Sequence, residues 1–332
     1  MKKIGVIGCG AWATTVAMLL AKNNHAVMMW CHKQDYAHAI HMGHENPFVL
    51  PGVTLPLTLQ ARTDMSMAVS GCEALVLGIA SPYLTQVLEQ LKPIYTPGTP
   101  ILSLTKGLLD NDTLFPSDYL NLSLSKCPIA VLSGPNLALE IAQGKPAASV
   151  ISSEKGDIAQ LFQQYLNSSS FRVYTSADTR GVELGGILKN IMAIAAGLID
   201  GLDLGYNAKA ALITRALPEM SRFGSRFNAH SETFYGLSGL GDLIATCTSS
   251  HSRNWKVGHA LAKGETLDTL ASGSAISEGV RTIKVVYKIA QTLRIDMPIT
   301  FQLYRVIYEN LSPLEALQTL MSRDAKSEHL NL

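Results

Sequence analysis

The sequence predicts an α/β domain built on a doubly wound parallel sheet, followed by an all-α domain. Three observations carry this expectation. Short apolar runs alternate with helix-period segments through the first half, the order of a parallel sheet flanked by helices. A glycine-rich turn, Gly8-Cys9-Gly10, stands directly after the first apolar run. Beyond about Thr175 strand signals stop, and apolar residues recur at helical spacing.

Taken in order, the strands are expected at Lys3–Ile7, Ala26–Trp30, Ala74–Gly78, Ile101–Ser103, Ile129–Leu132, Ala148–Ser152 and Arg172–Thr175. Helices are expected between them at Ala11–Asn23, Met65–Val69, Pro82–Leu91, Asn136–Ile141 and Lys155–Leu166. Gly43 to Pro56, with three prolines and two glycines, reads as a long loop. The second half reads as helices over Gly181–Gly201, Lys209–Phe223, Arg253–Ala262, Gly279–Leu293 and Ile299–Glu309. We therefore divide the 332 residues into a first domain, 1–177, and a second, 178–332, each long enough for its own core.

Composition narrows the function classes. Hydrophobic residues at 47% and charged residues at 16% exclude a disordered chain. A formal net charge of +1 gives no general pull toward nucleic acid or anionic membrane, so any phosphate must be held by a few local groups. The five cysteines, Cys9, Cys31, Cys72, Cys127 and Cys247, contain no C-x-x-C pair. Neither a zinc site nor a disulfide framework is indicated, and a reducing cytoplasm fits. Lys2 and Lys3 before the uncharged run Ile4–Ala21 have the outline of a secretory signal. Gly5, Gly8 and Gly10 interrupt that run, and we read it as part of the fold. No other segment offers the ~20 apolar residues of a membrane span.

Gly8 to Ala13 reads G-x-G-x-x-A between a strand and a helix, the pattern of a Rossmann-type dinucleotide turn. Gly8 allows the tight turn, Gly10 lets the backbone approach a pyrophosphate, and Ala13 permits close helix–strand packing. The helix N-terminus adds unpaired N–H groups and partial positive charge. The second strand runs into Trp30-Cys31-His32-Lys33, where an NAD site usually holds an acid for the ribose 2′-hydroxyl. His32 and Lys33 suit a 2′-phosphate instead, which favours NADPH, while Asp35 keeps NADH open.

Lys106, in Ser103-Leu104-Thr105-Lys106-Gly107, lies just past a strand end, where ligands gather in open parallel sheets; a solvated loop lysine explains it equally. Lys189 sits in a helix apolar nearly all round, so it must snorkel, pair or be held neutral. A desolvated amine is suited to general-base work near neutral pH. Asp242, among the glycines of Gly236-Leu237-Ser238-Gly239-Leu240-Gly241, either caps a helix or faces a ligand. Ser252-Arg253-Asn254 at a helix start is either a phosphate clamp or an ordinary N-cap with a surface arginine. His38, His41 and His44 lack partners for a metal site and read as solvated.

Together these segments resemble the bacterial NAD(P)-dependent glycerol-3-phosphate dehydrogenases over essentially the whole chain. The likeness rests on the Gly8–Ala13 turn with Trp12, Asn46 with Leu50-Pro51-Gly52, and Ser103 with Lys106-Gly107. It continues through Ser133-Gly134-Pro135-Asn136, Leu188-Lys189-Asn190, Gly239-Leu240-Gly241-Asp242-Leu243, Ser252-Arg253-Asn254 and Glu278-Gly279. The resemblance implies cofactor contacts at Ala11, Trp12, His32, Lys106, Ala138, Arg253, Ile276 and Glu278. It implies substrate contacts at Lys106, Gly134, Asn136, Lys189, Asp242, Ser252, Arg253 and Asn254. Lys189 matches the family's catalytic base, with Asp242 orienting its amine or the substrate hydroxyls and Lys106 helping to polarise the carbonyl. Ala13 stands where the family usually has glycine, and Asn136 where serine or threonine is common; both substitutes keep the function the position needs.

The implied reaction is reversible hydride transfer between glycerol 3-phosphate and dihydroxyacetone phosphate. Phospholipid precursor supply in the cytoplasm and a homodimer follow from the family alone. Two other readings stand beside it: a related hydroxy-acid or ketopantoate-type reductase, and a non-catalytic nicotinamide sensor.

Overall fold

A strand of a parallel sheet is covered on both faces, so it must be apolar at consecutive positions rather than at alternate ones. The first strand, β1 (Lys3–Ile7), obeys this: Ile4, Val6 and Ile7 are all fully buried. These observations come from a computed structural model that describes residues 1–109, 115–267, 269–270, 277–325 and 327–328. The chain divides into two compact units, Met1–Glu183 and Leu184–Leu332.

The first unit holds an eight-stranded sheet. After β1 come β2 (Ala26–Trp30), β5 (Leu59–Arg62), β6 (Ala74–Leu77), β7 (Ile101–Ser103), β8 (Ile129–Ser133), β9 (Ala147–Ser152) and β10 (Phe171–Ser176), in the spatial order β10-β9-β8-β7-β6-β1-β2-β5. Strand order reverses at β1, the switch point beside which ligands bind in such sheets. Val6, Val76 and Leu102 point into one core with α1 (Ala11–Lys22) and α7 (Gly156–Leu166). Ile7, Leu75, Leu77 and Ile101 point into the other, with α3 (Met65–Val69), α4 (Ser81–Leu91) and α5 (Pro116–Ser123). The sheet is thus doubly wound, as expected.

The structure adds a strand, β5, and helices α5, α10 (Asp242–Thr248) and α14 (Pro313–Met321) to those expected, and differs in three further details. The 43–56 segment is not simply a loop but folds into a hairpin of β3 (Glu45–Asn46) and β4 (Leu50–Thr54). Before it lies a helix, α2 (Gln34–Gly43), whose only buried residues are Ala37 and Ile40, too few to leave a helical pattern. Finally, β8 and β9 pair antiparallel. A strand buried on both faces carries the same apolar run whichever way its neighbour points, so the pattern is blind to this.

Glu183 is buried in the first unit and accepts from the Ser117 N–H at 3.0 Å and the Ser117 hydroxyl at 2.7 Å. Burial pushes its carboxyl up to about 6, against the pull of those bonds and of Arg180. Arg180 itself spans Asp118 with two bonds of 2.9 and 3.0 Å and lies 3.7 Å over the Phe115 ring.

The second unit is helical throughout the described residues. It begins within α8 (Thr179–Gly201), which, against the expectation that no other segment offers the apolar length of a membrane span, has that length and apolarity; 94% of its 18-residue apolar stretch is buried inside the protein, as in a core helix. Next come α9 (Gly205–Ser225), α10 (Asp242–Thr248), α11 (Arg253–Ala262), α12 (Glu278–Thr292), α13 (Pro298–Tyr308) and α14 (Pro313–Met321). Helices α8 and α11 cross at glycines. A Cβ on Gly258 would lie 1.9 Å from the Ile194 carbonyl oxygen, and one on Gly197 2.0 Å from that of Trp255. Buried Glu219 of α9 ends the first turn of α13, accepting from the Ile299 and Thr300 N–H groups at 2.9 Å and the Thr300 hydroxyl at 2.7 Å.

Candidate active site

In the first unit the glycine turn is built as its motif requires. Gly8 has φ +115, donates to the Trp30 carbonyl at 3.0 Å, and would put a Cβ 2.5 Å from the Gly78 carbonyl oxygen. Ala13 packs where a Cβ on Gly78 would lie 2.5 Å from its own, so helix and sheet touch with nothing to spare. Gly10 is the N-cap of α1, makes no side-chain cap, and has no atom within 4 Å of the position a Cβ would take. The first turn of α1 contains no acidic residue, and the buried Trp12 Nε1 has no protein partner. Uncapped N–H groups, open space at Gly10 and an orphaned indole donor fit the diphosphate of a dinucleotide.

His32 lies beside the same turn, its Nδ1 3.9 Å from the Cys9 sulfur, and Lys33 is exposed at the N-cap of α2. Ala138 opens α6 (Ala138–Ala142), and its carbonyl accepts from Thr15 of α1 at 3.2 Å. One residue given no role by sequence reasoning proves central: fully buried Asn46 donates to the Cys9 carbonyl and to the Thr14 hydroxyl, both at 3.0 Å. It fixes the turn from a neighbouring hairpin. In the sequence it stood only within the Asn46…Leu50-Pro51-Gly52 likeness, with no contact assigned to it.

A second group gathers past the ends of β7 and β8. Lys106 donates to the Gly134 carbonyl at 3.3 Å, and Gly134 has φ +142. Asn136 accepts from the Ser149 hydroxyl at 2.5 Å, which leaves its amide nitrogen as a donor. That Nδ2 and the Ser133 hydroxyl are both buried without a protein partner. Ser133, quoted only as part of a motif, is therefore a further candidate donor.

The second unit supplies the ionisable pair. Lys189 is 8% exposed and Asp242 1% exposed, and the lysine Nζ donates to the aspartate Oδ1. Snorkelling is thus not how the apolar helix carries its lysine; pairing is. Asp242 begins α10 after a π-helical turn, Leu237–Gly241, that allows the backbone to approach α8 closely: a Cβ on Gly185 would lie 2.5 Å from the Ser238 carbonyl oxygen. The N-cap of α10 is Gly241, and the Asp242 carboxylate accepts from Lys189 and, at 3.4 Å, from the Thr246 hydroxyl. The Thr246 hydroxyl donates to the Asp242 carbonyl at 2.6 Å. Below the pair, burial pushes the Cys247 thiol up to about 12 although Lys189 draws it down.

Around α11 the residues divide their work. Ser252 is the N-cap, accepting from the Trp255 N–H at 3.2 Å. Asn254 donates to Asn190 at 2.8 Å and accepts from the Gly279 N–H at 3.0 Å, tying α11 to α8 and α12. Arg253 is exposed at the first helical position. Glu278 begins α12, and Ile276 lies outside the described residues.

Residues 3–159 match the N-terminal family, and 178–318 the C-terminal family, of NAD-dependent glycerol-3-phosphate dehydrogenases. A glycerol-3-phosphate dehydrogenase [NAD(P)+] of Bacillus pumilus is 42% identical, covering 97% of this chain and 95% of its own. The crystal structure of glycerol-3-phosphate dehydrogenase from Coxiella burnetii superposes with a TM-score of 0.92 at 38% identity, over 97% of this chain and 99% of that one. A ketopantoate reductase from Ralstonia eutropha, 15% identical with a TM-score of 0.58 over 95% of this chain and 99% of its own, shares the fold alone.

Proposed function

The chain belongs to the NAD-dependent glycerol-3-phosphate dehydrogenase family, and from that premise we propose that Lys189 and Asp242 carry the proton transfer of its reaction. It is an oxidoreductase acting on the CH–OH group of glycerol 3-phosphate with NAD or NADP. The reductase and sensor readings are not favoured.

When bound, the nicotinamide supplies or accepts the hydride. Lys189 handles the proton: its ammonium donates to the C2 oxygen of dihydroxyacetone phosphate as charge grows there, and in the other direction its amine takes the C2 hydroxyl proton. Asp242 aims the Nζ. Lys106 and the Asn136 amide nitrogen are suited to polarising or holding the substrate oxygens, and Arg253 with Ser252 and Asn254 to its phosphate. Holding the phosphate fixes the reacting carbon, which turns binding into rate. The buried Lys189–Asp242 pair carries this reading, because no packing role requires a charged pair in an apolar interior.

NADPH is the cofactor His32 and Lys33 favour. Supply of phospholipid precursor, a cytoplasmic setting and a homodimer complete the proposal on the family's behaviour. The test follows loss of reduced-nicotinamide absorbance with dihydroxyacetone phosphate and either NADPH or NADH. Oxidation that fails with unphosphorylated dihydroxyacetone is expected, faster with NADPH. No oxidation by folded protein with either cofactor would overturn the reading.

A further inference from the structure

We propose that Asp200, Lys209 and Trp255 form a positioning device that sets the height of the start of α11 beside Lys189, and so the span between the substrate's phosphate and its reacting carbon. The proposal rests on the reading that Ser252, Arg253 and Asn254 take that phosphate.

The need for such a device follows from the packing. Helices α8 and α11 run side by side in the same direction: Asn190 meets Asn254, Ile194 meets Gly258, and Gly201 meets Ala262. The start of α11 is therefore level with Asn190, the residue after Lys189. Where the two backbones touch, the contacts are made by Gly197, Gly201 and Gly258. Glycines let helices come close, but the register of packed helices is set by interlocking side chains, which glycines lack. The substrate has a fixed number of bonds between its phosphorus and C2. A slide of one residue, about 1.5 Å, would carry C2 away from the lysine amine.

Two ties from adjacent residues of α11 prevent the slide. Asn254 donates to Asn190 at 2.8 Å, and the Trp255 indole N–H donates to Asp200 Oδ2 at 2.6 Å. These anchors lie about 15 Å apart along α8, so the first turn of α11 is braced at two levels. The indole is itself held in place. Its ring stacks on His259 with centroids 4.9 Å apart, and the Trp255 backbone N–H donates to Ser252 at 3.2 Å. Asp200 is fixed in turn by Lys209 of α9, whose ammonium lies 2.6 Å from the other carboxylate oxygen, Oδ1. An indole N–H can only donate, and a bond to an ionised carboxylate is among the strongest it can make. Lys209 also offsets the charge of Asp200, which would otherwise work against an anion held at the start of α11.

The experiment measures kcat/KM for dihydroxyacetone phosphate, competitive inhibition by inorganic phosphate, and the NADPH Kd by fluorescence, in variants of the full chain. Trp255→Phe keeps a ring against His259 but has no N–H to give, and Asp200→Ala removes the acceptor. Each should lower kcat/KM about tenfold, the worth of one hydrogen bond to a charged group. The double variant should lose no more than the worse single one, since both remove the same bond. Asp200→Asn, which keeps an oxygen acceptor, should lose less than Asp200→Ala. Inorganic phosphate spans nothing, so in Trp255→Phe its inhibition constant should match the parent's, as should the NADPH Kd. Parent-like kcat/KM in folded Trp255→Phe, additive losses in the double variant, or phosphate inhibition that weakens in step with kcat/KM would overturn the proposal. Phosphate inhibition left unchanged by Arg253→Ala would overturn the phosphate reading beneath it, a result the Trp255 and Asp200 variants cannot give.

Discussion

At the end of β1 the groups we propose for the cofactor are main-chain N–H groups, in a turn whose glycines carry no side chain. In the second unit the candidate groups are a lysine in the middle of α8 and an aspartate at the start of α10, both shut away from water. The first arrangement costs little to build, because a backbone turn is satisfied by the next strand and helix. The second sets two charges in an apolar interior, where each is tolerable only while the other is present. The difference teaches where each unit is vulnerable: the first to changes of shape, the second to changes of charge.

Lys189→Ala tests the charged side most severely. It should lower kcat by roughly 10²–10⁴-fold, the usual worth of a positioned acid–base group, while KM for dihydroxyacetone phosphate moves little. Near-normal turnover in steady-state assays would remove Lys189 from the chemistry. Asp242→Asn leaves the ammonium buried without its counter-charge; urea unfolding should show a loss of roughly 3–5 kcal/mol, together with reduced kcat. If stability held and only kcat fell, Asp242 would be an orienting group alone.

The shape-dependent side is tested by two substitutions of the same size. Gly8→Ala meets the Gly78 carbonyl at 2.5 Å with φ +115, and should cost roughly 3 kcal/mol in urea unfolding. Gly10→Ala meets nothing within 4 Å, so stability should hold while KM for the cofactor rises. Equal behaviour of the two would refute the division of labour between them.

The smallest effect concerns Glu183, a buried charge in the first unit and so an exception to the contrast. Its carboxyl is raised from 4.5 to about 6, so the folded chain binds the proton more tightly than the unfolded one. Its contribution is therefore fully present below pH 4.5 and is lost as pH rises through about 6, a decline of about 2 kcal/mol. Urea unfolding across that window should show the decline, and Glu183→Gln should flatten it.

Legibility in the sequence follows the same line. The doubly wound sheet could be read because β1, β6 and β7 are covered on both faces and so leave unbroken apolar runs. The Gly8–Ala13 turn could be read because backbone geometry permits few residue types there, and Lys189 because a charge in an apolar helix is conspicuous. Its partner was less visible: Asp242 lies 53 residues away, and the residues alone left a cap or a ligand contact open, the link to Lys189 coming only from the family resemblance. Asn46 and Ser133 escaped because an asparagine or serine near a strand end is ordinary until its neighbours are known. Helix α2 was hidden by its own exposure, and the hairpin after it by a β3 only two residues long.

Glu219 holds the start of α13 from 80 and 81 residues back along the chain, and Lys189 reaches Asp242 across 53. Helical units commonly fold fast because their contacts are local. Here the decisive polar ties close long loops, so chain-closure entropy weighs on the rate more than helix nucleation does. During synthesis Glu219 must wait for residue 300 to emerge, and until then a carboxylate destined for the interior stays in water. The second unit is accordingly expected to acquire its native order late, as one cooperative event.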